Sequence, residues 1–351
     1  MIVHSEELLR RLRPVLSEVL VSEAALGRVR LAANLLPEVS GGICLELRLE
    51  EGASRVDFMV CCMPGDGGPQ ALAEALAASH ERLPGPLWDG VRAFAREWVE
   101  PGSVLSRAPI FWLEYDLEEP LSGPPRPIPF VCVQPRFDQQ PPTSRRLSGA
   151  THEEPLQLTW RALEVLQGRP VSPAIARMIS RCFELLPDMG EMGHVASLAA
   201  RGSERVRLAI CAPRTELGAY LERLGWPGPR ARIEEIAERW LSPVHSVDLS
   251  LDIGEDIGPT VGFGTALPNA PHGTWAQALL QRLVEAGLCA PARRDAVLAW
   301  PGSERAVLDG HQWPSKLCRT MGVKLVCQPE GPLTAKAYPY FECRFSLRRD
   351  D

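Results

Sequence analysis

Long hydrophobic runs are missing from this chain of 351 residues: no stretch reaches the roughly 18 to 20 apolar residues that a membrane-spanning helix needs. Its start, MIVHSEELLRRLRPVL, lacks the basic-then-apolar layout of a secretory signal. A membrane partner is therefore not expected, and the sequence points to the cytoplasm. A basic excess is missing too, with 38 Lys and Arg against 44 Asp and Glu and a net charge of -6. Nucleic acid is excluded as an expected partner, because no overall positive field exists to hold a polyanion. No CxxC, HxxxH or HExxH spacing occurs, so the local tetrahedral zinc sets are absent. No GxGxxG, GxxxxGK[ST] or GxSxG occurs either, which removes the common dinucleotide, P-loop and hydrolase signatures.

What is present begins with ten cysteines, set mostly inside apolar stretches such as FMVCC, PFVCV, LAIC and KLVCQ. Buried, reduced thiols fit that pattern. Cys61 and Cys62 read as packing groups, since apolar surroundings raise a thiol's pKa and quench its nucleophilicity. With 45% hydrophobic and 23% charged residues the chain can bury a sizeable core.

Segments with period-two patterning alternate with segments of period near 3.6. An opening helix is expected over 5–35. GICLELRL (42–49) and SRVDFMVCC (54–62) form a first hairpin, and IFWLEYDL (110–117) and PFVCVQPRF (129–137) a second. HVASLAARG turning into SERVRLAICAP is the third, HSVDLSLDIG with PTVGFGTAL the fourth, and VKLVCQPE with PLTAKAYPYFECRF the fifth. Two helices separate each successive hairpin pair. Residues 138–150, DQQPPTSRRLSGA, carry no periodicity and read as a surface loop or lid. The unit of about 70 residues recurs throughout, which favours one closed α/β domain over 1–351. Two domains with a break near 138–150 remain the alternative.

Alternate residues of a strand point to opposite faces, so each strand reads twice. The last strand places Lys336, Tyr338, Tyr340, Glu342 and Arg344 on one face and Ala335, Ala337, Pro339, Phe341, Cys343 and Phe345 on the other. The same split separates Asp248, Ser250 and Asp252 from Val247, Leu249 and Leu251, and Glu46 and Arg48 from Leu45 and Leu47. About ten helices need an apolar sheet face to cover. The polar face then has nowhere to go except a central lumen, and a ten-stranded antiparallel barrel of five hairpins, ringed by paired helices, satisfies both demands.

Repeated helix–strand–strand–helix units closing into such a barrel resemble the aromatic prenyltransferases of the αββα type. The segments CLELRL and VDFMVCCMPG resemble the stretch of indole prenyltransferases where a strand carries a Glu and the next ends before a Pro. VKLV and AKAYPYF resemble that family's Lys-x-Tyr strands. The resemblance implies an allylic prenyl diphosphate held by inward basic and tyrosine side chains, and an aromatic or peptide acceptor that captures the prenyl cation. It implies Glu46 as the catalytic base, and Arg48, Glu114, Arg207, Lys324, Lys336, Tyr338, Tyr340 and Arg344 as the substrate-binding shell. A monomer or homodimer is expected.

Departures accompany the likeness. Asp57 stands where the indole enzymes carry an Arg, and neither VRLAI nor VDLSLDI contains a Lys-x-Tyr or Arg-x-Tyr. The inward basic residues Arg48, Arg136, Arg201, Arg207, Lys324, Lys336 and Arg344 are balanced by Glu46, Asp57, Glu114, Asp116, Asp248, Asp252 and Glu342. A neutral lumen holds a trianion only where its charges are separated or Mg2+ joins the acids, and Asp248, Ser250, Asp252, Glu255 and Asp256 are the residues that suit Mg2+. The competing expectation is a barrel without diphosphate chemistry that binds or modifies a peptide or small metabolite in a natural-product pathway. His194 reads as structural.

Overall fold

The computed structural model describes residues 2–36, 38, 41–118, 123–134, 152–242, 244–267, 274–310 and 312–345, with side chains as far as Cys343. The stretch 138–150 read as a lid, together with Arg136, lies outside the described residues, and so does the side chain of Arg344.

Ten strands close into an antiparallel barrel: β1 (Gly42–Arg48), β2 (Val56–Cys62), β3 (Phe111–Tyr115), β4 (Pro127–Cys132), β5 (Glu191–Ser197), β6 (Val206–Pro213), β7 (Ser246–Ile253), β8 (Ile257–Leu267), β10 (Pro314–Cys327) and β11 (Thr334–Phe345). Closure comes from β11, which pairs with β10 on one side and β1 on the other, Cys44 lying opposite Tyr340 and Arg48 opposite Lys336. An eleventh strand, β9 (Gly302–Val307), lies outside the ring and pairs with the first part of β10, Pro314 to Arg319. The sequence did not announce β9, whose GSERAV is polar and almost wholly exposed. It also makes β10 start nine residues before the expected VKLV.

Helices cover the outer face. The expected opening helix is two, α1 (Ser5–Leu12) and α2 (Glu23–Ala33). Pro14 falls just past α1, where its missing N–H and ring bulk end the helix, and Ser22 restarts it by accepting from the Ala25 N–H. The rest are α3 (Gly68–Ala78), α4 (Pro86–Val99), α5 (Glu153–Gln167), α6 (Pro173–Glu184), α7 (Leu217–Leu224), α8 (Arg230–Leu241), α9 (Thr274–Glu285) and α10 (Pro291–Ala299). No described helix is long and apolar enough to cross a membrane.

The core is the annulus between sheet and helices. Leu45, Leu47, Phe58, Val60, Phe111, Leu113, Leu208, Ile210, Leu249, Leu251, Val261, Phe263 and Phe341 all point outward into it and are buried. Phe94 of α4 stacks on Phe111 of β3 with centroids 4.4 Å apart, and Trp98 donates its indole N–H to the Ala108 carbonyl at 2.9 Å. Two tryptophans that close helix segments tie them to the sheet, Trp226 through the Pro259 carbonyl and Trp300 through the Thr320 carbonyl, both at 2.9 Å. Because the apolar face is consumed outside, the polar face of every strand is left lining the lumen.

The helix layer packs closely at Gly90 of α4, whose Cα faces the Leu166 carbonyl of α5 with no room for a methyl group. Gly90→Ala is expected to lower the unfolding free energy by about 2 kcal/mol through overpacking against rigid backbone. Urea denaturation measures it, and an unchanged midpoint contradicts the close α4–α5 approach.

Candidate active site

Strand parity delivers the lumen's contents, and position along each strand sorts them. The charged groups lie toward the hairpin turns: Glu46 on β1, Asp57 on β2, Glu114 on β3, Arg207 on β6, Asp252 on β7, Lys324 on β10 and Lys336 on β11. Toward the other end come Cys44, Met59, Trp112, Phe130, Ala209, Cys211, Tyr338 and Tyr340. A cavity of about 380 Å3 spans the boundary.

Nearly every charge at the hairpin end has a counter-charge. Glu46 receives the Lys336 ammonium at 2.5 Å and the Tyr338 hydroxyl. Arg207 makes a forked pair to Asp252, at 2.7 and 3.0 Å. Arg201, reaching in from the β5–β6 turn, bonds Glu114 at 2.7 Å and both oxygens of Asp116. Arg55 closes on Asp57 and Asp116, and Asp57 also accepts from the Leu117 N–H at 2.9 Å. Such pairing is what a low-dielectric interior demands, since an isolated charge there costs several kcal/mol.

The electrostatics follow. Burial pushes the Glu46 carboxyl up, but Lys336 and the Tyr338 hydrogen bond outweigh it and hold the pKa at about 2. Glu114 is raised, by burial and by the charge of Glu46, against the pull of Arg201. Burial pulls His194 down to about 4, so its imidazole is neutral. Burial also drives the thiols of Cys44 and Cys61 upward and Cys211 to about 12, which leaves these thiols protonated.

Lys324 differs. Among the described residues it forms no ion pair within 4 Å, and its ammonium sits 5.8 Å from the centroid of the Tyr338 ring. Its stem lies across Gly262 of β8, and a methyl group there would collide with Lys324 Cε. Burial lowers its pKa first, then the charges of Arg207 and Lys336, with Glu46 opposing, to about 8. Arg207 and Lys336 are close enough to Lys324 for their charges to act on it, and of the three only Lys324 lacks a carboxylate.

Of the residues expected to form the site, Glu46, Glu114, Arg207, Lys324, Tyr338 and Tyr340 line this cavity. Lys336 stands behind it, occupied by Glu46. Arg48 is one lumen position further toward the hairpin end, half-buried, and does not line it. For Arg344 the structure gives only its place on β11 opposite Lys316. The carboxylates considered for Mg2+ do not assemble: Asp252 is bound to Arg207 and Asp256 to Arg205, and no three His, Cys, Asp or Glu side chains among the described residues converge as a metal site.

Sequence reasoning missed Trp112, Phe130 and Met59, the apolar wall opposite the glycines of β8. Trp112 shares strand parity with Glu114 and Asp116, which was signal enough. A second unused signal lies in composition: Lys316, Lys324 and Lys336 are the chain's three lysines against thirty-five arginines, and all three fall on the last hairpin. Arginine serves the surface pairs. The two lumen lysines supply compact ammoniums whose pKa can shift.

The closed antiparallel barrel ringed by paired helices is an αββα barrel. The sequence matches no family model and no curated protein. Among solved structures the fold matches PriB in a binary complex with product diphosphate, with a TM-score of 0.56 and 13% identity, covering 99% of this chain and 100% of that one. It also matches the apo form of the prenyltransferase PriB, with a TM-score of 0.54 and 13% identity, covering 98% and 97%. At that identity the likeness establishes the fold.

Two measurements test the floor. Lys336→Met strands the Glu46 carboxylate and is expected to cost about 3 kcal/mol of stability at neutral pH. In the wild type the depressed Glu46 pKa stabilises above the ordinary carboxylate range and fades as pH falls toward 2; in the variant the raised pKa destabilises at neutral pH, and acid relieves it. The gap between the two should therefore narrow from pH 7 to pH 4, and a constant gap contradicts the pairing. Gly262→Ala should leave thermal stability within a few degrees yet displace the Lys324 side chain, read as a shift of its ε-ammonium NMR signal, and an unshifted signal contradicts the close Lys324–Gly262 approach.

Proposed function

We propose that this protein is a transferase that moves a prenyl group from an allylic diphosphate to a nucleophilic, aromatic-ring acceptor inside the barrel, as a tailoring step on a natural product. The observation that carries the reading is Lys324, a lumen cation without a carboxylate, facing Arg207 and Lys336 beneath Tyr338, Tyr340 and Trp112. An arriving diphosphate supplies Lys324 with the counter-charge it lacks and gains charge-assisted hydrogen bonds. The C–O bond of the allylic diphosphate then breaks, and the electron pair leaves with the diphosphate, neutralised at the floor. The allylic cation lies against the aromatic upper wall, where ring faces stabilise it by cation–π attraction. An acceptor carbon or heteroatom forms the new bond to the prenyl carbon, and its proton is lost to a base or to water.

Glu46 enters this scheme as a standing negative charge. At a pKa of about 2 it is a poor proton acceptor at neutral pH, but it favours the positive charge that develops on both prenyl group and acceptor. This assignment replaces the base expected from the resemblance with a counter-charge.

A second reading has its own support. Arg207, Arg201, Arg55 and Lys336 already hold carboxylates, which favours a barrel that binds a peptide or small metabolite without diphosphate chemistry. Incubation with dimethylallyl or geranyl diphosphate and a panel of aromatic acceptors separates the two. Transfer predicts pyrophosphate release with a matching mass gain, and at least a hundredfold loss in Lys324→Met. No release, no mass gain and no thermal shift with a thiolodiphosphate analogue would sink the transferase reading.

A further inference from the structure

With Glu46 held at a pKa of about 2, the proton that an acceptor loses needs another destination. Glu114, on β3, lines the same cavity and is itself only 6% exposed. Register fixes its height in the barrel. Glu46 lies opposite Asp57, whereas Glu114 lies opposite Met59, Met59 opposite Cys44, and Cys44 opposite Tyr340. Glu114 therefore stands one lumen row further from the hairpin turns than Glu46, in the row of Tyr340. The next lumen residue along β3 is Trp112. This carboxylate borders the aromatic wall, where prenyl cation and acceptor are proposed to meet.

Its two oxygens have different surroundings. Oε1 accepts from the Arg201 guanidinium at 2.7 Å, drawn toward the β5–β6 turn from which Arg201 reaches in. Oε2 makes no hydrogen bond among the described residues. A carboxylate anchored by an arginine through one oxygen keeps the other oriented and available to take a proton. Burial raises the Glu114 carboxyl, and the charges of Glu46 and Asp116 raise it further, against the pull of Arg201 and Arg207. Glu114 is thus a stronger base than Glu46. Its charge is also separable from the fold's needs: Arg201 bonds both oxygens of Asp116, so it keeps a carboxylate partner when Glu114 is replaced.

We propose that Glu114 is the catalytic group that receives the acceptor's proton, through Oε2; the assignment rests on the transferase reading. When the acceptor atom bonds to the prenyl carbon, the acceptor is left with a positive charge. Its bond to hydrogen then breaks, the electron pair stays with the acceptor and neutralises it, and the proton passes to Oε2. The carboxylic acid so formed returns the proton to water before the next turnover. Glu46 keeps its standing negative charge throughout, one row below.

Steady-state transfer from dimethylallyl diphosphate to indole and to 1-naphthol tests the assignment in the wild type, Glu114→Gln and Glu114→Ala. Both variants are expected to lower kcat about a hundredfold or more with little change in the acceptor's KM. Added formate should restore much of the loss in Glu114→Ala, where the deleted side chain leaves room for it. It should do nothing for Glu114→Gln, whose amide fills that room, and a merely structural role would give no such contrast. Glu114→Gln, nearly the same shape as the native residue, decides the matter through the kcat and KM split should Glu114→Ala fail to fold. Transfer by Glu114→Gln within about threefold of the wild type, or a loss in folded Glu114→Ala that formate leaves untouched, overturns the assignment and leaves the transferase reading standing. No transfer by the wild type removes the transferase reading, and the assignment falls with it.

Discussion

A charge enclosed by a sheet must find an opposite charge or a ligand, and the lumen of this barrel is organised by that constraint. Helices claim the apolar faces of the strands, so ten strands turn their polar faces onto one another in a partly enclosed space where water screens them incompletely. The chain responds with pairs and chains of pairs, Lys336–Glu46, Arg207–Asp252, and Arg55–Asp116–Arg201–Glu114. These lock neighbouring strands together near the hairpin turns. They also leave a remainder, since Lys324 forms no ion pair within 4 Å among the described residues and lies 5.8 Å from the Tyr338 ring centroid. Arg207 and Lys336 are answered by Asp252 and Glu46, and the unanswered Lys324 is the group at which an anion is proposed to bind.

The pairing also explains how this barrel relates to its structural neighbours. The fold follows PriB over nearly the full chain at 13% identity, so the architecture is shared at low sequence identity. Asp57 illustrates the point. It is bound by Arg55 and the Leu117 N–H, and it serves the wall rather than the cavity. The basic groups available to an anion are fewer than seven inward basic residues suggest, because Arg201, Arg207 and Lys336 are already bound to carboxylates.

Much of the fold was legible in the sequence because period two is a strong signal when one face must be apolar. The alternation in TAKAYPYFECRF and SVDLSLDI identified the lumen face directly, since a one-residue slip would have turned every charge into the helix layer. What stayed hidden has physical reasons. β9 offers little apolar signal, since its GSERAV is almost wholly exposed. The opening helix looked continuous because the apolar periodicity survives across Pro14, although the backbone does not. Trp112 was passed over because a large ring reads as core, and in a barrel lumen the aromatic wall is polar-face territory. Ion pairing was beyond reach: composition showed seven charges of each sign, but only register shows that Arg207 faces Asp252 while Asp248 faces Gly264.

The claim on which the account turns is that Lys324 is an unpaired lumen cation awaiting an anion. The chain's three lysines make it directly observable, because uniform lysine labelling gives three ε-ammonium signals, and Lys324→Arg assigns one of them. NMR titration is expected to show the Lys324 amine ionising near 8, and moving upward by at least one pH unit when inorganic pyrophosphate is added. A Lys324 that titrates at the ordinary lysine value and ignores pyrophosphate would contradict the account.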